Sequence, residues 1–205
     1  MVVGEDGVAR CWWAGSDPLL RGYHDGEWGR PVFDDRRMFE KICLEAFQSG
    51  LSWLTILRKR ENFRRAFEGF DPDAVARFDE ARITRLMSDP GIVRNRSKIL
   101  ATVNNARRCL ELVDQVGSLA AHLWSFEPDL SSRPKVMDRA TLMTLATSPE
   151  SVAMSKDLRL RGWAFVGPTT LYAMMQSNGI VNDHLSGCRV GAEVERERAA
   201  LRRPH

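Results

Sequence analysis

Four residues able to ligate a metal stand in two pairs at opposite ends of the 205-residue chain: Cys11 with His24, and His184 with Cys188. Zinc takes four such ligands, thiolate sulfur and imidazole nitrogen, in a tetrahedron. Two Cys and two His complete that set and leave no open position, so an ion held here would be structural rather than hydrolytic. His24 and His184 lie 160 residues apart, so the fold must return its ends to one place. Closure entropy grows only logarithmically with length, and metal bonds can offset it. The other reading is two core cysteines and two surface histidines, and spacing leaves both open. Cys43 and Cys109 sit inside apolar helical patterns and read as core. His122 has no partner nearby in sequence, and His205 is the last residue.

A second candidate is Glu45, an acid within the mostly apolar run Ile42 to Phe47. A buried carboxylate needs a partner, or a ligand that brings donors or positive charge. Tyr23, Trp28 and Trp53 could supply flat surfaces beside it. Gly50 marks a break before Leu51, and an apolar wedge from such a turn could fill the gap left by an extruded base. Taken alone, Glu45 reads equally well as a surface acid. A third candidate is the turn DPGI with the following RNRSK. A turn at Pro90, Gly91 and Ile92 can aim backbone N–H groups at an anion, and the next helix adds its dipole. Arg94, Arg96 and Lys98 cluster there, with Ser97 as a possible cap. Such groups would hold a DNA backbone without reading bases. An ordinary solvated helix–helix turn has the same local pattern. Arg58, Lys59 and Arg60 form another basic cluster, consistent with a solvated helix end.

Helices must position these groups. Residues 1–10 are expected to fray and 11–33 to form an irregular packed segment. Asp34 or Asp35 can cap a helix carrying Met38, Phe39, Ile42, Cys43 and Ala46 on one side. A second helix follows Gly50, with Leu51, Leu54, Leu57, Phe63 and Phe67 continuing an apolar face. Asp71 caps and Pro72 opens a short helix. Ile83, Leu86 and Met87 end the next, Asp89-Pro90-Gly91 breaks it, and a long helix begins near Ser97. SLAAHLWSF is a short helix; EPDLSSRPKVMDRATL reads as loop. Ser148 and Pro149 start another helix, without a capping box because Ser151 is neither acid nor Gln. PTTLYAMMQSNG is a helix closed by Gly179. The segment 163–167 is the one extended candidate, too brief to build a sheet. The charged tail from Gly191 has too few apolar positions to pack well.

Apolar residues make up 43% and charged residues 28%, an ordinary globular balance. No apolar run is long enough to span a membrane, and the N-terminus lacks the pattern of a secretory signal. A cytoplasmic protein is expected. The net charge of +3 permits a polyanionic partner without requiring one.

The strings RCWW, SDPLLRGYHDGEWGRPVFDDRRMFEKICLEAFQSGLSWLTILRKRENFRRAF, DPGIVRNRSKI and RGWAFVGPTTLYAMMQSNGIVNDHLSGC are long and unusual. Through them the chain resembles the bacterial constitutive 3-methyladenine DNA glycosylases from about Arg10 to Cys188. The resemblance implies an all-α helix–hairpin–helix glycosylase fold, with a second small lobe formed by the two chain ends around one structural zinc. It implies the ligands Cys11, His24, His184 and Cys188. It implies Glu45 as the acid that contacts the lesion, Trp53 as the stacking aromatic and Tyr23 in the pocket. Leu51 matches the inserted side chain, and residues 90–95 match the backbone anchor. The expected boundaries are 1–33 and 148–191 for the zinc lobe, 34–147 for the helical core, and 192–205 for the tail. The expected partner of this monomer is double-stranded DNA containing alkylated bases, with no membrane. One position departs: family members often carry Tyr where this chain has Leu20, which offers neither a hydrogen bond nor an aromatic face. Asp114 falls roughly where other hairpin glycosylases keep a catalytic Asp, but reads better as a surface acid. The resemblance implies excision of 3-methyladenine, or of another lesion such as 3-methylguanine. The rivals are a zinc-stabilised DNA-binding domain without chemistry, and a metallohydrolase, which a closed four-ligand site argues against.

Overall fold

A computed structural model describes residues 1–15 and 17–203; His205 and the end of the tail lie outside them. Most elements begin at signals written locally in the sequence. Asp17 caps α1 (Pro18–Gly26), accepting from the Leu19 amide at 2.9 Å. Asp34 caps α2 (Asp35–Gln48) through the Arg37 amide at 2.8 Å. Gly50, with φ +81°, turns the chain into α3 (Trp53–Ala66), which Ser52 caps. Asp71 and Pro72 start α4 (Pro72–Ala76), and Asp79 caps α5 (Glu80–Ser88). A hairpin then leads into the long α6 (Arg96–Val116), followed by α7 (Leu119–Trp124). The remaining helices are α8 (Arg139–Thr144), α9 (Pro149–Leu160), α10 (Pro168–Ser177) and α11 (Arg189–Ala199).

The main core is the interior of this helical array. Phe39, Ile42 and Phe47 of α2 meet Phe63 of α3, Ile99 and Leu112 of α6, Leu158 of α9 and Met175 of α10. Cys43 and Cys109 are buried there, as their patterns predict. Asp35 does not cap α2. Its carboxylate reaches across to the start of α7, accepting from the Ser118 hydroxyl and the Leu119 and Ala120 amides at 2.7–3.0 Å. A smaller core joins the chain ends: Cys11, Tyr23 and Trp28 pack with Leu185, Cys188, Val190 and Val194, and with Met137. Backbone ties bring the ends together, the Val32 amide donating to the Asn178 carbonyl at 3.1 Å. Gly179 permits this approach, because a Cβ there would lie 2.6 Å from the Gly29 carbonyl oxygen. Among the described residues no helix is long and apolar enough to cross a membrane.

Several expectations are corrected. Residues 1–10 do not fray: β1 (Val2–Val3) pairs antiparallel with β2 (Ala9–Arg10), and Arg10 anchors them through Asp6 at 2.7 Å and Asp25 at 2.8 Å. The segment 11–33 contains the regular helix α1. Asn95, not Ser97, caps α6, through the Lys98 amide at 3.1 Å. Ser148 and Ser151 do form a reciprocal capping box, since a serine hydroxyl can reach back as Glu or Gln does. The stretch read as loop, residues 127–142, holds the start of α8. Residues 163–167 form no strand; the Asn105 side chain pairs with the Ala164 backbone at 2.8 Å in both directions, in place of a neighbouring strand. The tail docks as α11. Val190 and Val194 are buried, while Arg30–Glu193 at 2.9 Å and Arg198–Glu127 at 2.6 Å supply what apolar area does not.

Candidate active site

A cavity of about 460 Å³ opens between the chain ends and the turn joining α2 to α3. Its walls include Leu20, Tyr23, Trp28, Glu45 and Trp53, so all five pocket residues named from sequence meet in one place. Tyr23 and Trp53 have ring centroids 5.3 Å apart. Trp13 meets Trp28 edge-on at 4.9 Å. Glu45 is only 6% exposed. The Ser177 hydroxyl stands near it but donates to the Met174 carbonyl at 3.1 Å. Among the described residues the carboxylate has no donor but that hydroxyl, which it shares with the Met174 carbonyl. Burial pushes the Glu45 carboxyl up to about 7, against the downward pull of the Lys41 ammonium and the Ser177 hydroxyl.

Sequence reading missed Trp12, Trp13, Gln48, Ser52 and the α8 residues Leu142 and Met143, which also line the cavity. The pair Trp12-Trp13 beside a ligating Cys was the available signal; α8 carried none, being read as loop. Gln176 was missed as well. Its Nε2 donates to Asp183 at 2.8 Å, and a carboxylate only accepts, so the amide orientation is fixed and Oε1 is left for other partners. Asp183 is itself held by the Tyr172 hydroxyl at 2.8 Å and by Arg133.

Behind the cavity the four Cys and His residues converge, all buried, with ligand atoms within 4.8 Å of one another. Cys188 Sγ lies 3.5 Å from His24 Nε2 and 3.6 Å from His184 Nδ1, and Cys11 Sγ lies 3.6 Å from His184 Nδ1. The outer ring nitrogens are engaged. His24 Nδ1 meets Asp25 at 2.8 Å, and His184 Nε2 meets the Trp28 carbonyl at 3.0 Å. These contacts select the tautomers that turn the inner nitrogens toward the cluster. The cluster can hold a metal ion, and it abuts the cavity walls: His184 packs on Trp28 at 4.6 Å and His24 on Trp13 at 5.1 Å.

The hairpin between α5 and α6 exposes Pro90, Arg94 and Arg96, with Ile92 buried beneath it. The Asp89 carboxylate accepts from the Gly91 amide at 2.7 Å, and Lys59 and Asn62 of α3 hold the Pro90 and Gly91 carbonyls. The Val93 and Arg94 amides donate to no acceptor among the described residues and remain available to an anion. Arg96 is exposed and pairs with Glu80 at 2.6 Å. Lys98 is a correction. Its side chain turns inward and donates to the Phe47 carbonyl at 2.9 Å and the Ser49 carbonyl at 2.6 Å, closing the end of α2. It is not free to meet a phosphate. Leu51 is 42% exposed at the tip of the turn beside the cavity mouth.

The methyladenine glycosylase family profile matches residues 13–191. The chain belongs to that family. The DNA-3-methyladenine glycosylase 1 of Escherichia coli K12 is 46% identical over 182 residues, 88% of this chain and 96% of that protein. A crystal structure of a 3-methyladenine DNA glycosylase I superposes with a TM-score of 0.80 at 45% identity, covering 88% of this chain and 98% of its own. The Staphylococcus aureus enzyme, solved to define 3-methyladenine recognition, gives a TM-score of 0.78 at 34% identity over 89% of this chain and 96% of its own. As a methyladenine glycosylase, the chain has its hairpin, most of the cavity wall and three of the four Cys/His residues within the matched span, while Cys11, Trp12 and most of α11 lie outside it.

Proposed function

We propose that this chain hydrolyses the N-glycosidic bond of 3-methyladenine in alkylated double-stranded DNA, releasing the free base and leaving an abasic site. It does so as a cytoplasmic monomer. The observation that carries the reading is Glu45, a buried carboxylate with a shared donor, in an aromatic cavity. Adenine methylated at N3 is cationic while joined to the sugar and carries an exocyclic amino donor. A pocket with ring faces and a buried carboxylate that forms no salt bridge among the described residues suits that ligand and disfavours neutral bases. A domain that only bound DNA would have no use for it.

The hairpin grips the backbone through free amides and exposed arginines, and Leu51 fills the space left as the nucleotide swings out. The base stacks on Trp53 and Tyr23 while Glu45 accepts from its amino group. The C1′–N bond breaks with both electrons going to the base, which leaves neutral. Water adds its oxygen to C1′ and gives up a proton to solvent. A cationic leaving group needs little acid–base help, so Glu45 acts by recognition and charge rather than as general base.

The ion proposed for the Cys/His cluster is zinc. With bonds of about 2.3 Å to sulfur and 2.05 Å to nitrogen, tetrahedral geometry calls for S···N separations of about 3.6 Å. The three separations of 3.5–3.6 Å support that fit. With four protein ligands such an ion clasps the chain ends and takes no part in hydrolysis.

The test is chromatographic separation of bases released from methylated duplex DNA. Free 3-methyladenine with little 7-methylguanine is expected; no released base from zinc-loaded, DNA-binding protein would refute the reading.

A further inference from the structure

We propose that Lys41 is a positioning residue for base capture, acting from behind the aromatic wall through Tyr23 and Glu45 to keep the pocket an anionic site for a cationic purine. The inference rests on the glycosylase reading above.

Lys41 and Glu45 stand one helical turn apart on α2, so their side chains share a face. Lys41 Nζ donates to the Tyr23 hydroxyl oxygen at 3.0 Å and lies 4.8 and 4.7 Å from the ring centroids of Tyr23 and Trp53. Both rings line the cavity and Lys41 does not, so the ammonium presses on them from outside. An ammonium only donates. The Tyr23 oxygen therefore accepts from Lys41, and its own hydrogen is directed elsewhere as a donor.

The surrounding charges single out this pair. Arg60 of α3 already holds Glu27, just past α1, through two bonds of 2.6 and 2.8 Å. Arg64 of α3 holds Glu40 of α2 at 2.8 Å. From α10 the Ser177 hydroxyl acts on Glu45. Of the three acids that act on Lys41, Glu45 is the one without another cation, and Lys41 is the cation that acts on Glu45. An empty pocket would otherwise leave a desolvated carboxyl protonated near neutral pH, presenting an O–H and no charge. Lys41 supplies an internal countercharge, and the intervening rings keep the incoming cation from meeting it directly.

The experiment compares Lys41→Met, which keeps length without charge, and Lys41→Arg with the unaltered protein. The Glu45 carboxyl is followed by carbon-13 NMR and single-turnover excision is measured from pH 6 to 9. In Lys41→Met the Glu45 titration midpoint is expected to rise by about one unit, a tenfold change in its acidity. Excision is expected to fall roughly fivefold near pH 7, as the ionised fraction drops from about one half to about one eleventh. The gap closes toward pH 9, where Glu45 is ionised in both proteins, and Lys41→Arg recovers most of the loss at pH 7. An unchanged midpoint overturns the proposal. So does a loss equal at every pH with a lowered melting temperature, which would mark Lys41 as packing alone. If the unaltered protein releases no base, the glycosylase reading fails, while the NMR midpoint still decides whether Lys41 sets the charge of Glu45.

Discussion

Replacing Glu45 by Gln separates recognition from stability, because the two effects run in opposite directions. A carboxylate about 4 Å from a cationic base, at an effective dielectric near 20, is worth about 4 kcal/mol. A glutamine amide keeps a neutral hydrogen bond worth about 1 kcal/mol. The difference of about 3 kcal/mol is roughly a hundredfold in kcat/KM. It falls on capture of the flipped base, since the charge is present before the bond breaks. Stability responds through the same group. Its carboxyl moves from 4.5 to about 7 on folding, so the folded state holds the proton more tightly. The stabilisation is complete below pH 4.5 and is lost as pH rises through 7, a change of about 3 kcal/mol at 1.36 kcal/mol per unit. Glutamine does not titrate. The stability of Glu45→Gln relative to the parent is therefore expected to climb between pH 5 and pH 8. Lys41, deprived of its counter-ion, sheds its proton more easily and adds in the same direction. Urea melts at several pH values and single-turnover base release test both halves, with Glu5→Gln as an exposed control. Excision within threefold of the parent, or a stability difference flat with pH, would refute the reasoning.

Cys188→Ala is expected to lower bound zinc from one ion per chain to near none and to cost several kcal/mol of stability, read by elemental analysis and urea melts; full retention of zinc would count against the four-ligand site. Leu51→Ala is expected to slow excision about tenfold while changing stability by less than about 0.5 kcal/mol, because the side chain is exposed and serves only the DNA-bound state. Lys98→Met is expected to cost about 2 kcal/mol by stranding two carbonyls while leaving the salt dependence of DNA binding unchanged. A fall of about one in that salt slope would return Lys98 to the phosphate contacts.

The helices were legible because their start signals are local: Asp34, Asp71 and Ser148 cap where they stand. Errors fall where a partner far along the chain decides the outcome. Asp35 looks like a second cap for α2 until α7 is folded against it. The amphiphilic weakness of α11 is real, but Arg30 and Glu127 compensate it from distant segments. Lys98 carries the same charge whether it faces a phosphate or the Phe47 carbonyl, and only packing chooses. Glu45 was readable as unusual because an acid in an apolar run must be exposed or functional. That the cation acting on it is Lys41, one turn earlier, was not readable, since any surface helix offers such a spacing.

The placement of the Cys/His cluster has a consequence for the pocket. The cavity walls come from both ends of the chain, Trp12 to Trp28 on one side and Gln176 on the other, with α2 and α3 between. Joining ends some 160 residues apart carries a closure cost of about 4–5 kcal/mol in the logarithmic limit. The ring contacts of His184 with Trp28 and of His24 with Trp13 mean that the same ligands also orient the aromatic wall. A metal clasp of the kind proposed would thus also set how closely the pocket fits its base. Displacements of about 1 Å can cost a hundredfold in rate, so loosening the cluster reaches the chemistry through the walls before it unfolds the chain.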